Sequence, residues 1–204
     1  MRVNEIFESI QGEGKYAGYP VLFIRLQGCN LNCDFCDTEW KTGKVISEDD
    51  IVSKILSLNR EIIVWTGGEP LLQFPAIKKV IDKLKKHNIQ HHIETNGGLL
   101  KKKHFDNFDY LAISPKNIKD ARHVMSLIID NDIEYDKRDI KVVTDGFKVG
   151  VYLIPFASMF MPLTVDGGRI DNQIEKDVWN LSLKHNKKFC LRQHIKVWNI
   201  KRGV

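Results

Sequence analysis

Short runs of β-branched and aromatic residues alternate with amphipathic segments along the chain. Strands that alternate with helices in this way are typical of an α/β fold with a mostly parallel sheet. The runs predict strands over 21–26, 62–65, 90–93, 110–113, 140–143, 149–154 and 189–193.

Three segments between these strands have the spacing of helices. Ser47 is the predicted N-cap of the first, because three acidic residues and then isoleucines at helical intervals follow it. The second is predicted to open at Pro75, and the third to span 172–185. Between 117 and 139 the pattern indicates only a helix around 123–129.

Polar, glycine or proline residues follow most of the predicted strands. In parallel α/β folds the carboxyl ends of the strands meet at one edge, where the loops form binding sites. We therefore expect one site built from Gly28-Cys29, Thr66 to Pro70, Glu94 to Gly97, Ser114 to Lys116, Pro155 after the sixth strand and His194 after the last.

Composition indicates an ordinary globular chain. The 204 residues contain no repeat or long linker, so one domain over 1–204 is expected. No apolar run approaches the roughly 18–20 residues of a membrane span, and the first residues do not resemble a signal peptide. These features predict a cytoplasmic protein with no membrane partner.

The net charge is +5, and basic residues concentrate in 78–104 and 184–204. Such segments can bind polyanions, although lysines that solvate the outer face of a helix are the simpler explanation. Because no nucleic-acid motif accompanies them, no nucleic-acid partner is expected. An acidic redox protein is an alternative partner for this surface.

Three cysteines lie close together in the spacing Cys29-x-x-x-Cys33-x-x-Cys36. Each thiolate of such a loop can bind one iron of a 4Fe-4S cluster and leave the fourth iron open. A structural zinc would need a fourth ligand, which Cys190 or His194 would have to supply. Residue types alone leave open the cluster, a zinc site and unliganded core thiols.

The triplet, with Phe35 before its last cysteine, resembles the motif of the radical S-adenosylmethionine (SAM) enzymes, and Gly67 to Pro70 resembles their GGE motif. This resemblance implies a partial, trimmed (β/α)6 barrel. It also implies that the open iron binds the amino and carboxylate groups of SAM, which reduction cleaves to methionine and a 5'-deoxyadenosyl radical.

A second resemblance covers nearly the whole chain. Residues 7–14, 23–31, 36–38, 66–70, 94–97, 114–116 and 193–204 are similar to motifs of the 7-carboxy-7-deazaguanine synthase family. The resemblance implies a lyase that converts 6-carboxy-5,6,7,8-tetrahydropterin to 7-carboxy-7-deazaguanine with release of ammonia, for queuosine or archaeosine. It further implies Mg²⁺, a homodimer, and flavodoxin or ferredoxin as electron donor.

The same resemblance implies the roles of individual residues. Substrate contacts fall on Ile10, Gln11, Gly12, Glu13, Arg25, Thr66, His194 and the terminal carboxylate of Val204. SAM contacts fall on Phe35, Asp37, Gly68, Glu69, Ser114, Pro115, Lys116, Ile154 and Pro155, and the Mg²⁺ ligand is Thr38.

Residue chemistry alone supports some of these roles and leaves others open. Arg25 can present a bidentate fork to a carboxylate or make a structural salt bridge. Asp37 is a more ordinary metal ligand than Thr38, although Mg²⁺ accepts a single protein oxygen. Cys190 is expected to be buried filling, and His91-His92 receives no role because neighbouring strand residues face opposite ways.

Two other functions fit part of the sequence. A glycyl-radical-activating enzyme shares the cysteine triplet, but the Gln-Gly-Glu-Gly opening and Cys36-Asp37-Thr38 argue against it. A zinc- or cluster-containing RNA-binding module would suit the basic tail but lacks aromatic stacking motifs. The chain departs from some relatives at Val204, where they have proline, and after Lys116, where it is short.

Overall fold

A computed structural model describes residues 1–36, 38–165, 169–199, 201 and 203. The described residues form one sheet of nine strands in the order β3-β1-β2-β4-β5-β6-β7-β8-β9. The strands are β1 (Arg2–Ile10), β2 (Pro20–Leu26), β3 (Lys44–Val45), β4 (Ile62–Gly67), β5 (Gln90–Thr95), β6 (Tyr110–Ile113), β7 (Arg138–Thr144), β8 (Met159–Pro162) and β9 (Lys188–Phe189).

Neighbours from β2 to β9 pair in parallel, and β1 pairs antiparallel with both β2 and β3. Within the described part of the chain β3 and β9 lie at opposite edges, so the sheet stays open. The expected fold, a trimmed barrel with a mostly parallel sheet, is confirmed.

Helices connect the strands and cover the sheet. They are α1 (Glu48–Leu58), α2 (Phe74–Leu84), α3 (Lys102–Phe105), α4 (Ile118–Asp130), α5 (Asn172–His185) and α6 (Gln193–Trp198). The predicted cap of α1 is confirmed, since the Ser47 hydroxyl accepts a hydrogen bond from the Asp50 amide at 3.1 Å. α5 has the predicted bounds, and α4 is longer than its pattern indicated because Asn117 caps it.

The core lies between the sheet and its helices. Ile62 to Trp65 of β4 are all buried, which is typical of a parallel strand covered on both faces. On the helical side, Ile51 and Ile55 of α1 pack into the same cluster as Ile77 and Val80 of α2. The central strands are therefore held rigidly, and their carboxyl ends provide a fixed base for the loops.

The prediction of a strand over 149–154 is wrong. The chain forms a 3-10 helix, Val151–Phe156, and the strand follows as β8. The Asp145 carboxylate accepts hydrogen bonds from the amides of residues 147–149, and Gly150 has a φ of +72°. This turn redirects the apolar run, so Leu153 packs against the sheet and Pro155 does not end a strand.

The prediction of a strand over 189–193 is also wrong. β9 ends at Phe189, and Gln193 already begins α6, so His194 lies in the first turn of a helix. β1 was not predicted, because its acidic residues interrupt the apolar pattern on a strand that is only partly buried. No helix among the described residues is both long and apolar enough to cross a bilayer.

Candidate active site

A cavity of about 600 Å³ lies at the carboxyl edge of the parallel strands. Most of the predicted site residues line it, namely Ile10, Gln11, Glu13, Arg25, Cys29, Cys33, Phe35, Cys36, Thr38, Thr66, Gly68, Ser114, Lys116 and His194. Gly12, Glu69, Pro115, Ile154 and Pro155 do not line it, and Asp37 and Val204 lie outside the described residues.

The cysteines lie on the loop between β2 and β3. Gly28, with a φ of +97°, turns the chain out of β2, and its amide donates to the Trp40 carbonyl at 3.0 Å. The loop then carries Cys29, Cys33 and Cys36 as free thiols along one wall of the cavity. The strand end thus fixes where the thiols stand relative to the glycines of β4.

The donor set fits a cluster better than a single ion. Among the described residues no three His, Cys, Asp or Glu side chains are grouped to hold one metal ion. In a 4Fe-4S cluster each thiolate binds its own iron, so the three need not converge on one point. Cys190, one of the two candidates for a fourth zinc ligand, is engaged elsewhere, since its thiol accepts from the Gly14 amide at 3.0 Å.

Two glycines at the end of β4 let the backbone approach the cysteine loop. A Cβ on Gly68 would lie 2.1 Å from the Gly28 carbonyl oxygen and 2.9 Å from the Cys29 Cβ. Gly67 has a φ of +134°, which side chains rarely adopt. The GG pair therefore allows direct contact between β4 and the loop that bears the cysteines.

Glu69 links the ends of neighbouring strands through hydrogen bonds. Its buried carboxylate accepts from the Leu71 amide at 3.0 Å, the Thr95 hydroxyl at 2.8 Å and the Asn96 amide at 2.8 Å. The Asn96 side chain donates to Asn30 in the cysteine loop at 2.8 Å. Burial raises the pKa of Glu69, and the three donors oppose that rise.

Replacing Glu69 with glutamine is expected to destabilise the fold. The glutamine amide has one oxygen where the carboxylate had two. Its NH2 group would therefore face at least one of the buried donors, and that donor would lose its acceptor. Leaving a buried donor unsatisfied costs about 1–3 kcal/mol. Urea unfolding should show this loss in the Glu69→Gln variant, and an unchanged free energy of unfolding would contradict the bracing role.

Glu13 stands at the other end of the cavity between two cations. Its carboxylate contacts the Lys141 ammonium group of β7 and lies 3.4 Å from Nε of Arg192. Burial alone would raise the pKa of Glu13, but the charges of Lys141 and Arg192 outweigh it and lower that pKa to about 2. Glu13 is therefore ionised near neutral pH.

A second carboxylate, Glu94 of β5, links other predicted residues. It accepts from the Gln11 side-chain amide at 3.2 Å and from the Thr66 hydroxyl at 2.8 Å. Arg25 pairs with Glu5 at 3.1 Å, and both side chains line the cavity. Gln11 and Thr66 are thus joined through Glu94, and the Arg25–Glu5 pair lies separately along the same cavity.

A third group stands beside the cysteine loop. The Lys116 ammonium donates to the Ser114 hydroxyl at 2.8 Å and lies 5.8 Å from the centre of the Phe35 ring. The Tyr152 hydroxyl donates to the Lys116 carbonyl at 3.0 Å. This contact fastens the 3-10 helix that contains Ile154 and Pro155 to the end of β6.

The sequence did not indicate Lys141 or Arg192 as site residues. It placed Glu94 in the polar cluster expected at the site but gave this residue no role of its own. Lys141 and Arg192 had no signal, because a lysine inside an apolar strand and an arginine near the basic tail become informative only when the fold brings Glu13 between them.

The open parallel sheet, the cysteine loop and the GG contact together define a radical SAM enzyme. The radical SAM superfamily model matches residues 23–144. QueE from Escherichia coli has a similar fold, with a TM-score of 0.59, 20% identity, and 95% of this chain and 94% of that chain covered.

Sequence relatives identify the family within this superfamily. The 7-carboxy-7-deazaguanine synthase of Bacteroides thetaiotaomicron is 32% identical over 195 residues, which are 94% of this chain and 98% of the relative. That of Haemophilus influenzae is 31% identical over 205 residues, with 91% of each chain covered. The chain belongs to the 7-carboxy-7-deazaguanine synthase family of the radical SAM superfamily.

Proposed function

We propose that this protein converts 6-carboxy-5,6,7,8-tetrahydropterin to 7-carboxy-7-deazaguanine with release of ammonia. One observation carries the proposal. A single cavity joins the three cysteines, the GG contact and the wall that contains Glu13. A cofactor at the cysteine end and a pterin at the Glu13 end would therefore lie within reach of each other.

The cysteine end supplies what a 4Fe-4S cluster and SAM require. Cys29, Cys33 and Cys36 would hold three irons, and the cluster would supply the electron that cleaves SAM to a 5'-deoxyadenosyl radical. Gly68 lines the cavity, and its lack of a Cβ lets the backbone there pack against Gly28 and Cys29. Ser114 and Lys116 present a hydroxyl and a cation to the same part of the cavity.

The Glu13 end supplies what a carboxylated pterin requires. The ionised Glu13 carboxylate can accept hydrogen bonds from ring N–H groups, and Gln11 stands beside it. Arg25 can turn from Glu5 to a substrate carboxylate, because its guanidinium lies at the cavity wall. The partly buried wall holds these groups in place before the substrate enters.

Several further features belong to the same proposal. Thr38 lines the cavity two positions after Cys36 and would be the protein ligand of Mg²⁺, with substrate and water completing the shell. An acidic flavodoxin or ferredoxin suits the basic surface as electron donor. A homodimer, a single domain over residues 1–204 and a cytoplasmic location complete the proposal, and the continuous sheet supports the single domain.

The proposal is tested by anaerobic turnover. Protein reconstituted with iron and sulfide is given SAM, dithionite, Mg²⁺ and the carboxytetrahydropterin, and the product is identified by mass spectrometry. Formation of 7-carboxy-7-deazaguanine, with a slower rate when Mg²⁺ is omitted, is the expected result. Cleavage of SAM without a deazaguanine would refute the substrate and leave the superfamily chemistry intact.

A further inference from the structure

Among the described residues, the least exposed ion pair of the cavity lies between β7 and the turn after β1. The side chains of Lys141 and Glu13 are 9% and 15% exposed, and Arg192 on the second carboxylate oxygen is 11% exposed. A buried carboxylate without a partner is unfavourable, so these two cations determine its position and its charge. Lys141 is anchored in a central strand, whereas Glu13 lies in a glycine-flanked turn.

The turn is also fixed from the other side. The Gly14 amide donates to the Cys190 thiol at 3.0 Å, and the Gln193 amide donates to the Gly12 carbonyl at 3.0 Å. These contacts hold the backbone on both sides of Glu13 but do not direct its carboxylate. The direction of that side chain depends on Lys141 and Arg192.

We propose that Lys141 is a positioning residue that holds the Glu13 carboxylate aimed at the substrate; this rests on the proposed function, in which Glu13 accepts hydrogen bonds from the pterin. Lys141 acts through Glu13, because its ammonium group is engaged with that carboxylate. Arg192 contacts the other oxygen of the Glu13 carboxylate, and its Nη1 donates to the Thr164 hydroxyl at 2.9 Å.

The charged surroundings of Glu13 determine the pH behaviour of this arrangement. Lys141, Arg192 and His194 face Glu13 and favour its ionised form. An ionised Cys190 thiolate would oppose that form, because it carries the same charge as the Glu13 carboxylate. Glu94 interacts with Lys141 and favours the charged ammonium. Removing Lys141 leaves desolvation opposed mainly by Arg192, so the pKa of Glu13 rises. As the pH falls, the Glu13 carboxylate of the variant therefore takes up its proton at a higher pH than in the unchanged protein, and it stops acting as an ionised acceptor there.

The test compares Lys141→Met, Lys141→Arg and the unchanged protein after cluster reconstitution. Lys141→Met should raise the KM for the pterin by about tenfold or more, the scale of a lost charge-assisted hydrogen bond, with a smaller change in kcat. The acid limb of its kcat/KM profile should move to higher pH. Lys141→Arg should recover part of the affinity, because it keeps the charge.

Two further variants separate positioning from stability. The double variant Glu13→Gln with Lys141→Met removes both charges, so it should unfold less readily than Lys141→Met alone while its KM stays high. Lys188→Met is the matched control, because Lys188 lies 3.4 Å from the buried Asp139 and neither residue lines the cavity. It should leave the KM and the acid limb unchanged.

The outcomes distinguish the inference from the proposed function. If the unchanged protein makes no deazaguanine, the proposed function fails first. If it does, and Lys141→Met has an unchanged KM and acid limb, the positioning role is wrong. Equal shifts in KM for Lys141→Met and Lys188→Met would likewise overturn it, since they would reflect general loss of stability.

Discussion

Iron binding is expected to fall steeply when Cys33 is replaced by alanine. The three thiols of the cysteine loop are the proposed cluster ligands, and Cys33 lies between the other two in sequence and lines the same cavity. With two thiolates left, the loop cannot hold three irons. Anaerobic reconstitution followed by iron and sulfide analysis should show most of the metal lost and no product formed.

Cys190→Ala is the matched control for this change. Its thiol is buried and accepts from the Gly14 amide, and Cys190 does not line the cavity. The iron content of this variant should equal that of the unchanged protein. Loss of iron from Cys190→Ala, or full iron in Cys33→Ala, would contradict the assignment of the ligands.

Gly68→Ala is expected to disturb both the fold and the cofactor site. The new Cβ would lie 2.1 Å from the Gly28 oxygen and 2.7 Å from the Gly28 carbonyl carbon, which are backbone atoms that cannot rotate away. The cysteine loop must therefore shift from β4. Overpacking of this kind costs about 1–3 kcal/mol, which lowers the Tm of a chain of this length by about 2–12 °C.

The same shift should weaken SAM binding by about tenfold or more, because misplacing a binding group by an ångström has effects of this size or larger. Equilibrium dialysis of reconstituted protein measures this directly. Gly98→Ala is the matched control, since its Cβ would meet side-chain atoms of Asp120 and Asn96 at 3.1–3.2 Å, and these can move. A Gly68→Ala variant that bound SAM as well as Gly98→Ala would contradict the role of the GG contact.

The sequence predicted the parts of the fold that depend on local pattern. The parallel strands from β2 to β7 and the helices α1, α2 and α5 have strong apolar periodicity or caps, so local and tertiary preferences agree. The prediction of a strand over 149–154 was wrong because an apolar run fits a buried 3-10 turn as well as a strand. The contacts of Asp145 and Gly150 decide between them, and these depend on the whole loop.

The candidate site likewise contains residues that the sequence could predict and residues that it could not. The cysteines and the GG pair are motifs whose spacing carries their chemistry, so the sequence was sufficient to place them at the cavity. The partners of Glu13 could not be predicted, because Lys141 is separated from it by 128 positions and meets it only when the sheet is assembled. Glu69 belongs to the segment predicted to contact SAM, and that prediction stays open; the structure adds that its buried carboxylate braces the backbone of neighbouring strand ends.

A crystal structure of the reconstituted protein with SAM and the carboxytetrahydropterin, determined without oxygen, tests the proposed site most directly. We expect a 4Fe-4S cluster on Cys29, Cys33 and Cys36, SAM beside Gly68, and the pterin ring with its N–H groups on Glu13, which still contacts Lys141. A pterin bound elsewhere, or a cavity in which Glu13 does not face it, would contradict the central claim that one cavity holds all three.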